Sequence, residues 1–88
     1  MKLAFTPEGW EEYTILRDID KKAHKKLDAL LVECLRHPFS GTGKPEPLKE
    51  NLKGWWSRRI SREHRLVYRV SGSGDLQMLE IAHCMYHY

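Results

Sequence analysis

The chain has 88 residues, of which 41% are hydrophobic and 31% are charged, and it carries a net charge of +3. This composition is typical of a folded soluble protein and excludes a disordered chain. No apolar run approaches the roughly 20 residues that span a bilayer, and the opening residues turn polar too soon for a secretory signal, so we expect a cytoplasmic protein without membrane contact. The length predicts one domain over residues 1–88 with a modest core.

The positive charge is unevenly placed along the chain. Residues 1–43 carry seven Lys/Arg and seven Asp/Glu, whereas residues 44–88 carry eight Lys/Arg and five Asp/Glu. A local basic field of this kind favours contact with a polyanion such as nucleic acid, although a solvated charged surface is the ordinary alternative. The two cysteines, Cys34 and Cys84, fall in apolar stretches and are interpreted as buried reduced thiols, not as a disulfide framework.

The first elements are predicted from cap residues and apolar spacing. Residues 2–5 are typical of a short strand. Thr6 followed by Pro7 predicts a helix start, because a hydroxyl caps well and proline is suited to the first helical position. One face of this helix is expected to hold Trp10, Tyr13, Leu16 and Arg17. Asp18 or Asp20 is expected to cap the next helix.

A second helix is predicted from strong helical periodicity. Its apolar face comprises Ala23, Leu27, Leu30, Leu31, Cys34 and Leu35, and its other face is rich in lysine. That lysine face favours plain solvation over nucleic-acid contact. Pro38 is expected to end the helix. Residues 38–55 are rich in Pro, Gly and Ser and predict a long connecting loop.

The C-terminal third changes to the period of a strand. Leu66, Tyr68 and Val70 are predicted to face one way, and Arg65, Val67 and Arg69 the other. A turn at residues 71–75 leads to a last strand that is expected to run to the end of the chain. The order β-α-α-β-β-β predicts an α+β fold in which two N-terminal helices pack on a small, mostly antiparallel sheet.

Several side chains form a plausible set for cutting RNA, whose 2′-hydroxyl supplies the nucleophile. Glu46 suits the general base because Pro45 and Pro47 restrict its backbone. His87 suits the general acid, since imidazole titrates near neutral pH. Arg65 suits stabilisation of the phosphorane, because a guanidinium is always charged and binds two oxygens at once.

Other residues are candidates for binding the phosphate backbone, namely Lys49, Arg58 and Arg59. Each candidate has an ordinary alternative. A glutamate in a loop is usually only solvated, arginines are often plain surface cations, and a terminal histidine is often frayed. Trp55 and Trp56 are expected to pack rather than to stack on bases. Residue types alone leave these alternatives open.

A metal site is the competing interpretation of the C-terminal residues His83, Cys84 and His87. In a strand, residues four apart lie about 13 Å from each other at ~3.3 Å per residue, too far for shared coordination. We therefore expect no metal site, and the predicted acid–base chemistry uses no cofactor.

Four segments together carry a family resemblance: residues 41–49 (GTGKPEPLK), 56–60 (WSRRI), 63–68 (EHRLVY) and the terminal YHY at 86–88. With the opening residues, they resemble the YoeB (Txe) toxins of the RelE/ParE superfamily over essentially the whole chain. The resemblance implies a RelE-like fold and a toxin of a type II toxin–antitoxin system. Such a toxin is an endoribonuclease that cleaves mRNA in the A site of the 70S ribosome.

Site residues and partners follow from the resemblance. The family's base corresponds to Glu46, its phosphate-stabilising arginine to Arg65, and its terminal acid pair to His87 and Tyr88. Positions that support substrate binding correspond to Lys49 and Arg59. The resemblance also implies a YefM-like antitoxin with an acidic segment that folds on binding, and possible homodimers. Met85 departs from the family pattern, in which a basic residue precedes the terminal YHY.

Two other functions remain as alternatives. A ParE-like toxin has the same fold but poisons DNA gyrase, and it does not need the set of Glu46, Arg65 and His87. A non-catalytic module that binds RNA or an antitoxin would show salt-sensitive affinity without cleavage products.

Overall fold

The computed structural model describes residues 1–86. Two helices follow the first strand, and four strands follow the helices, which confirms the predicted α+β class. The elements are β1 (Lys2–Phe5), α1 (Pro7–Ile19), α2 (Lys21–Arg36), β2 (Glu46–Pro47), β3 (Trp56–Arg59), β4 (Arg65–Ser71) and β5 (Met78–His83). Short 3-10 turns lie at Glu50–Leu52 and Gly74–Leu76. Among residues 1–86, no helix is long and apolar enough to cross a membrane.

The five strands form one mixed sheet in the order β1-β5-β4-β3-β2. Only the β1–β5 pair is parallel, and the other three pairs are antiparallel. The sequence pattern did not predict β2, because its two residues lie inside a stretch that has the composition of a loop. Pro47 has no backbone N–H to donate, and proline is tolerated in a sheet at an edge such as β2.

Both helix starts have the caps that the sequence predicts. The Thr6 hydroxyl accepts a hydrogen bond of 3.0 Å from the Gly9 N–H, and Pro7 occupies the first position of α1. Asp20 closes α1 and caps α2, where its carboxylate accepts from the Ala23 N–H at 3.0 Å. Of the two aspartates considered, Asp20 is therefore the cap, and it separates the helices by a single residue.

The apolar stripe of α2 lies against the sheet as predicted, and the lysine face is exposed. Trp10 and Tyr13 share a face of α1, as predicted: their rings stack with centroids 5.5 Å apart, and Phe5 packs against the edges of both. Leu16 is fully buried, whereas Trp10 is 53% exposed and Arg17 is also exposed.

The sheet has a helix-facing side and an outer face. Leu66 and Tyr68 of β4 belong to the core with the helices, whereas Arg65 and Val67 point to the outer face. Directly paired residues share a face, so the outer face also contains Glu46, Ser57 and Arg59. This alternation confirms the predicted pattern of β4.

The last strand is shorter than predicted. Tyr68 pairs with Ile81 but Val67 pairs with His83, so Ala82 is an extra residue and forms a bulge. β5 then ends at His83, and Tyr86 has a left-handed backbone with a φ of 54°. The expectation of a strand that continues to the end of the chain is therefore wrong for Cys84 to Tyr86, because the bulge and the bend take the backbone out of the ladder.

The two cysteines are free and fully buried, as the sequence predicts. Burial raises the pKa of Cys34 to about 11 and that of Cys84 to about 12. Both thiols therefore stay protonated at neutral pH, and neither has the character of a nucleophile.

Candidate active site

Glu46 and Arg65, predicted as base and phosphate stabiliser, lie in contact on the outer face of the sheet. Arg65 Nη1 is 3.1 Å from Glu46 Oε1 and 3.3 Å from the hydroxyl oxygen of Ser57. The Glu46 side chain is 58% exposed and that of Arg65 is 19% exposed. Strands β2, β3 and β4 each supply one of the three groups, so the contact depends on strand pairing and not on closeness in sequence.

Toward residues 1–86, the guanidinium of Arg65 uses only one of its three nitrogens for side-chain hydrogen bonds. A guanidinium has five N–H bonds, and only Nη1 is engaged by Glu46 and Ser57. Within residues 1–86, Nε and Nη2 of Arg65 have no hydrogen-bond partner. The group can therefore bind two oxygens of a phosphate while its first nitrogen stays beside Glu46.

The segment that leads to Glu46 is fastened to the body of the protein by Arg58. Its Nη2 donates to the carbonyls of His37 and Ser40, and its Nη1 donates to the Thr42 carbonyl at 3.1 Å and to the Glu33 carboxylate. Three carbonyls of residues 37–42 thus converge on one cation. This loop begins where α2 ends and leads directly into β2.

The prediction that Arg58 contacts phosphates is wrong. Its side chain is fully buried on the helix-facing side of the sheet, and its Nε donates to the Tyr68 hydroxyl at 3.2 Å. Burial opposes its charge, but the bonds to Tyr68 and Glu33 outweigh that effect and raise the pKa of Arg58 above its ordinary value. Arg58 therefore has a structural role, because its guanidinium is buried among these partners and cannot reach a ligand.

Glu33 completes this internal network. Its carboxylate accepts hydrogen bonds from the N–H of Thr42 at 2.7 Å and from the Thr42 hydroxyl at 2.9 Å. These bonds, together with Arg58, lower the pKa of Glu33 below its ordinary value. Gly41 has a φ of 113°, and a Cβ there would lie 2.6 Å from Glu33 Oε2, so the loop needs glycine at this position.

Arg59 and Lys49, predicted to bind substrate, are both exposed. Arg59 pairs with Arg65 across β3 and β4 and therefore lies on the outer face beside the Glu46–Arg65 contact. Lys49 precedes the short turn at residues 50–52, which follows β2. Within the described part of the chain, neither cation forms a salt bridge.

The backbone of the C-terminal segment is hydrogen-bonded to residues beside the same site. The Arg65 N–H donates to the Tyr86 carbonyl at 3.2 Å, and the Tyr86 N–H donates to Nδ1 of the buried His64 at 3.0 Å. Tyr86 is therefore bonded to two consecutive residues, His64 and Arg65. The two predicted terminal residues, His87 and Tyr88, lie outside the described residues.

The two tryptophans before and within β3 pack as expected. Trp56 packs against the core and against Phe39, with ring centroids 4.7 Å apart. Trp55 lies under the guanidinium of Arg69, which is 4.5 Å from the ring centroid. Both side chains are half-buried.

Sequence reasoning missed three residues around the site: Ser57, His64 and Glu33. Ser57 lies between Trp56 and Arg58, so strand alternation places it opposite the core, which was a usable signal. His64 and Glu33 act through partners that are distant in sequence, so the EHRLVY segment that contains His64 did not reveal its bond to Tyr86. No group of three His, Cys, Asp or Glu side chains in residues 1–86 is arranged to hold a metal ion.

Comparison with known proteins identifies close relatives. A sequence model described as "YoeB-like toxin of bacterial type II toxin-antitoxin system" matches residues 5–88. Toxin YoeB of Escherichia coli strain K12 is 50% identical over 88 residues, which is 100% of both chains. The solved structure of a YoeB/ParE toxin from Agrobacterium tumefaciens superimposes with a TM-score of 0.94 at 49% identity, covering 100% of both chains.

Two solved structures from Staphylococcus aureus show assemblies of relatives. A YoeB dimer superimposes with a TM-score of 0.86 at 44% identity, and a YoeB-YefM complex with 0.85 at 43% identity. Each alignment covers 100% of this chain and 98% of the other.

Proposed function

The chain belongs to the YoeB-like toxins of bacterial type II toxin–antitoxin systems, and from this premise we propose that it is an endoribonuclease that cleaves mRNA in the A site of the 70S ribosome. The observation that carries the proposal is the contact between Glu46 and Arg65 on the outer face, with exposed Arg59 beside it. A base next to a phosphate-binding cation is what attack by a 2′-hydroxyl requires.

Glu46 is the general base in this mechanism. Its exposed carboxylate takes the proton of the 2′-hydroxyl, whose oxygen then attacks the adjacent phosphorus. The residue is held at the sheet edge by pairing with Ser57 and by the two flanking prolines. Arg58 fastens the upstream loop and Arg65 contacts the carboxylate at 3.1 Å, and both interactions lower the ordering of Glu46 needed in the transition state.

Arg65 stabilises the charge that develops on the phosphorane. Its Nη1 stays beside Glu46, and Nε and Nη2 bind the non-bridging oxygens. Arg59 and Lys49 bind neighbouring phosphates and set the position of the strand, without reading its sequence. Removing one such charge-stabilising donor from an enzyme typically lowers the rate about a hundredfold.

His87 is the general acid, and Tyr88 assists it. As attack proceeds, the bond between phosphorus and the 5′-oxygen breaks and that oxygen takes a proton from the imidazole. The products are a 2′,3′-cyclic phosphate and a 5′-hydroxyl. Tyr86, which directly precedes His87, has its carbonyl bonded to the Arg65 backbone, and this supports an acid that works beside Arg65.

A primer-extension assay of a defined mRNA on purified 70S ribosomes tests the proposal. We expect ribosome-dependent cuts within A-site codons by the wild type, and a loss of about a hundredfold or more in Glu46→Gln and His87→Gln. Glu50→Gln is the matched control, because Glu50 is an exposed glutamate of the same loop without a predicted role. If the wild type leaves the mRNA intact, the proposal is refuted. The alternative, a ParE-like toxin that poisons DNA gyrase, is then tested by a supercoiling assay.

We also propose that a YefM-like antitoxin neutralises this toxin. The YoeB chain of the Staphylococcus aureus complex is 43% identical and has the same fold. The basic excess in residues 44–88 suits an acidic antitoxin segment. Co-expression with a YefM-like protein should yield a stable complex that no longer cuts mRNA on ribosomes, and an uninhibited toxin would contradict this pairing.

A further inference from the structure

Glu12 of α1 binds the backbone at the point where β5 ends. Its Oε1 accepts hydrogen bonds from the N–H of Cys84 at 2.8 Å and from the N–H of Met85 at 3.1 Å. Its Oε2 is 3.3 Å from Nδ1 of His83. One carboxylate thus contacts three consecutive residues, more than 70 positions away in the sequence.

These bonds replace the strand ladder. After the bulge at Ala82, the N–H groups of Cys84 and Met85 no longer pair along β4, and a buried N–H without a partner is costly. A charged acceptor makes stronger bonds than a neutral one, so the carboxylate holds this bend firmly. Cys84 and Met85 are themselves buried, at 0% and 7% exposure, which fixes the same segment from the core side.

α1 is brought close enough for this contact by Gly9. A Cβ at position 9 would lie 2.5 Å from the Ile81 carbonyl oxygen, so only glycine lets the helix approach β5 so closely. The thiol of Cys84 donates to the Gly9 carbonyl at 3.7 Å, and the Thr6 hydroxyl donates to the Ala82 carbonyl at 3.3 Å. The first two turns of α1 therefore hold the end of β5 along its length.

His64 and Arg65 hold the next residue. The Tyr86 N–H donates to His64 Nδ1, and the Tyr86 carbonyl accepts from the Arg65 N–H. The residues from 84 to 86 are thus bonded first to α1 and then to the start of β4, immediately before His87. The bond to the Tyr86 carbonyl comes from the backbone N–H of Arg65, whose guanidinium is the proposed phosphate-binding group.

We propose that Glu12 is a positioning residue for the reaction: by fixing the bend at Cys84 and Met85, it fixes the backbone that leads into the proposed acid, His87. This inference rests on the proposed function, since it assigns Glu12 a role that acts through the acid. The competing explanation is that Glu12 only stabilises the fold. The positioning role predicts that the effect of substituting Glu12 on the cleavage rate depends on the presence of His87, and the purely structural role predicts that it does not.

Single-turnover cleavage on ribosomes measures the effect. We expect Glu12→Ala to lower the rate at saturating ribosome complex by about ten- to a hundredfold through misplacement of the acid, with the half-saturating concentration nearly unchanged. Glu12→Gln, which keeps one oxygen acceptor, should recover part of the loss. Glu11→Ala is the matched control, because Glu11 is an exposed glutamate of the same helix without a side-chain contact in residues 1–86.

The decisive comparison repeats Glu12→Ala in a His87→Ala background. If Glu12 acts through His87, the second substitution should change the residual rate by less than about twofold, because residues that act as a unit are not additive. Equal fold-losses in both backgrounds would show a purely structural role and overturn the inference. A wild-type rate in Glu12→Ala would overturn it as well, while leaving the proposed function intact.

A second measurement does not depend on cleavage. Backbone ¹⁵N relaxation should give order parameters near 0.85 for Cys84 to Tyr86 in the wild type and below about 0.6 in Glu12→Ala. Unchanged order in the variant would overturn the anchoring on which the inference rests. If the wild type leaves mRNA intact while these values fall as expected, the proposed function fails but the anchoring by Glu12 is supported.

Discussion

Arg58 Nε donates a hydrogen bond of 3.2 Å to the hydroxyl of Tyr68, which joins the two largest fully buried side chains of the described residues. The Tyr68 hydroxyl in turn donates to the Pro38 carbonyl at 2.5 Å. A charged side chain at the centre of the core thus holds the end of α2 and the loop that leads to Glu46. The integrity of the site therefore depends on a residue that does not face it.

Arg58→Ala is expected to be strongly destabilising. The substitution leaves the carbonyls of residues 37–42 without their donor and opens a cavity, and breaking such a buried network lowers the free energy of unfolding by about 3 kcal/mol or more. Urea denaturation followed by circular dichroism measures the change. The neighbouring exposed Arg59→Ala is the control and should shift stability by less than about 0.5 kcal/mol. Similar midpoints for the two variants would contradict the assigned role of Arg58.

The Glu33 carboxylate should make stability depend on acid pH. Because hydrogen bonds from Thr42 and the nearby Arg58 lower its folded-state pKa below the ordinary 4.5, the ionised form stabilises the fold at neutral pH. That stabilisation is lost as the pH falls through the folded-state pKa.

Wild type and Glu33→Gln should therefore differ most at neutral pH and converge in acid. Denaturation midpoints between neutral pH and acid pH test this. Glu63→Gln, at an exposed position, should run parallel to the wild type. A constant difference between wild type and Glu33→Gln across the range would show that the charge of Glu33 contributes nothing.

Gly9→Ala should destabilise the protein although alanine favours helices. A Cβ at this position would lie 2.5 Å from the Ile81 carbonyl oxygen, so α1 must move away from β5. Such overpacking lowers stability by about 1–3 kcal/mol, which outweighs the gain of about 1 kcal/mol in helix propensity. Thermal unfolding measures the net effect, and Glu11→Ala on the same helix should be neutral or slightly stabilising. A raised melting temperature in Gly9→Ala would show that the helix can shift without loss.

Lys49→Ala and Arg59→Ala should weaken RNA binding and reduce its dependence on salt. Each phosphate contact removed should make the slope of log affinity against log salt shallower by about 0.7 for single-stranded RNA. Fluorescence anisotropy with a labelled single-stranded oligonucleotide measures both quantities. Lys25→Ala, on the exposed face of α2 and not on the outer face of the sheet, is the matched control. A larger loss of RNA affinity in Lys25→Ala than in the other two variants would show that RNA binds to α2 and not to the outer face of the sheet.

Local patterns in the sequence determined most of the secondary structure. The caps at Thr6 and Asp20, the apolar stripe of α2 and the alternation of β4 are all present in the structure. These features depend on interactions within a few residues, so they can be inferred from spacing. The family resemblance singled out Glu46 and Arg65, which lie in contact in the structure.

Tertiary structure alone decided which charged groups are buried and where the last strand ends. Arg58 and Arg59 are neighbours of the same type, yet one is fully buried and the other exposed, because strand alternation sends them to opposite faces and only one face is covered by helices. The partners that make burial of Arg58 tolerable, Glu33 and the carbonyls of residues 37–42, lie 16 to 25 positions away. Glu12 is more than 70 residues from the bend that it holds. Such long-range pairings have no local signature, since their energy depends on the packed arrangement of distant segments.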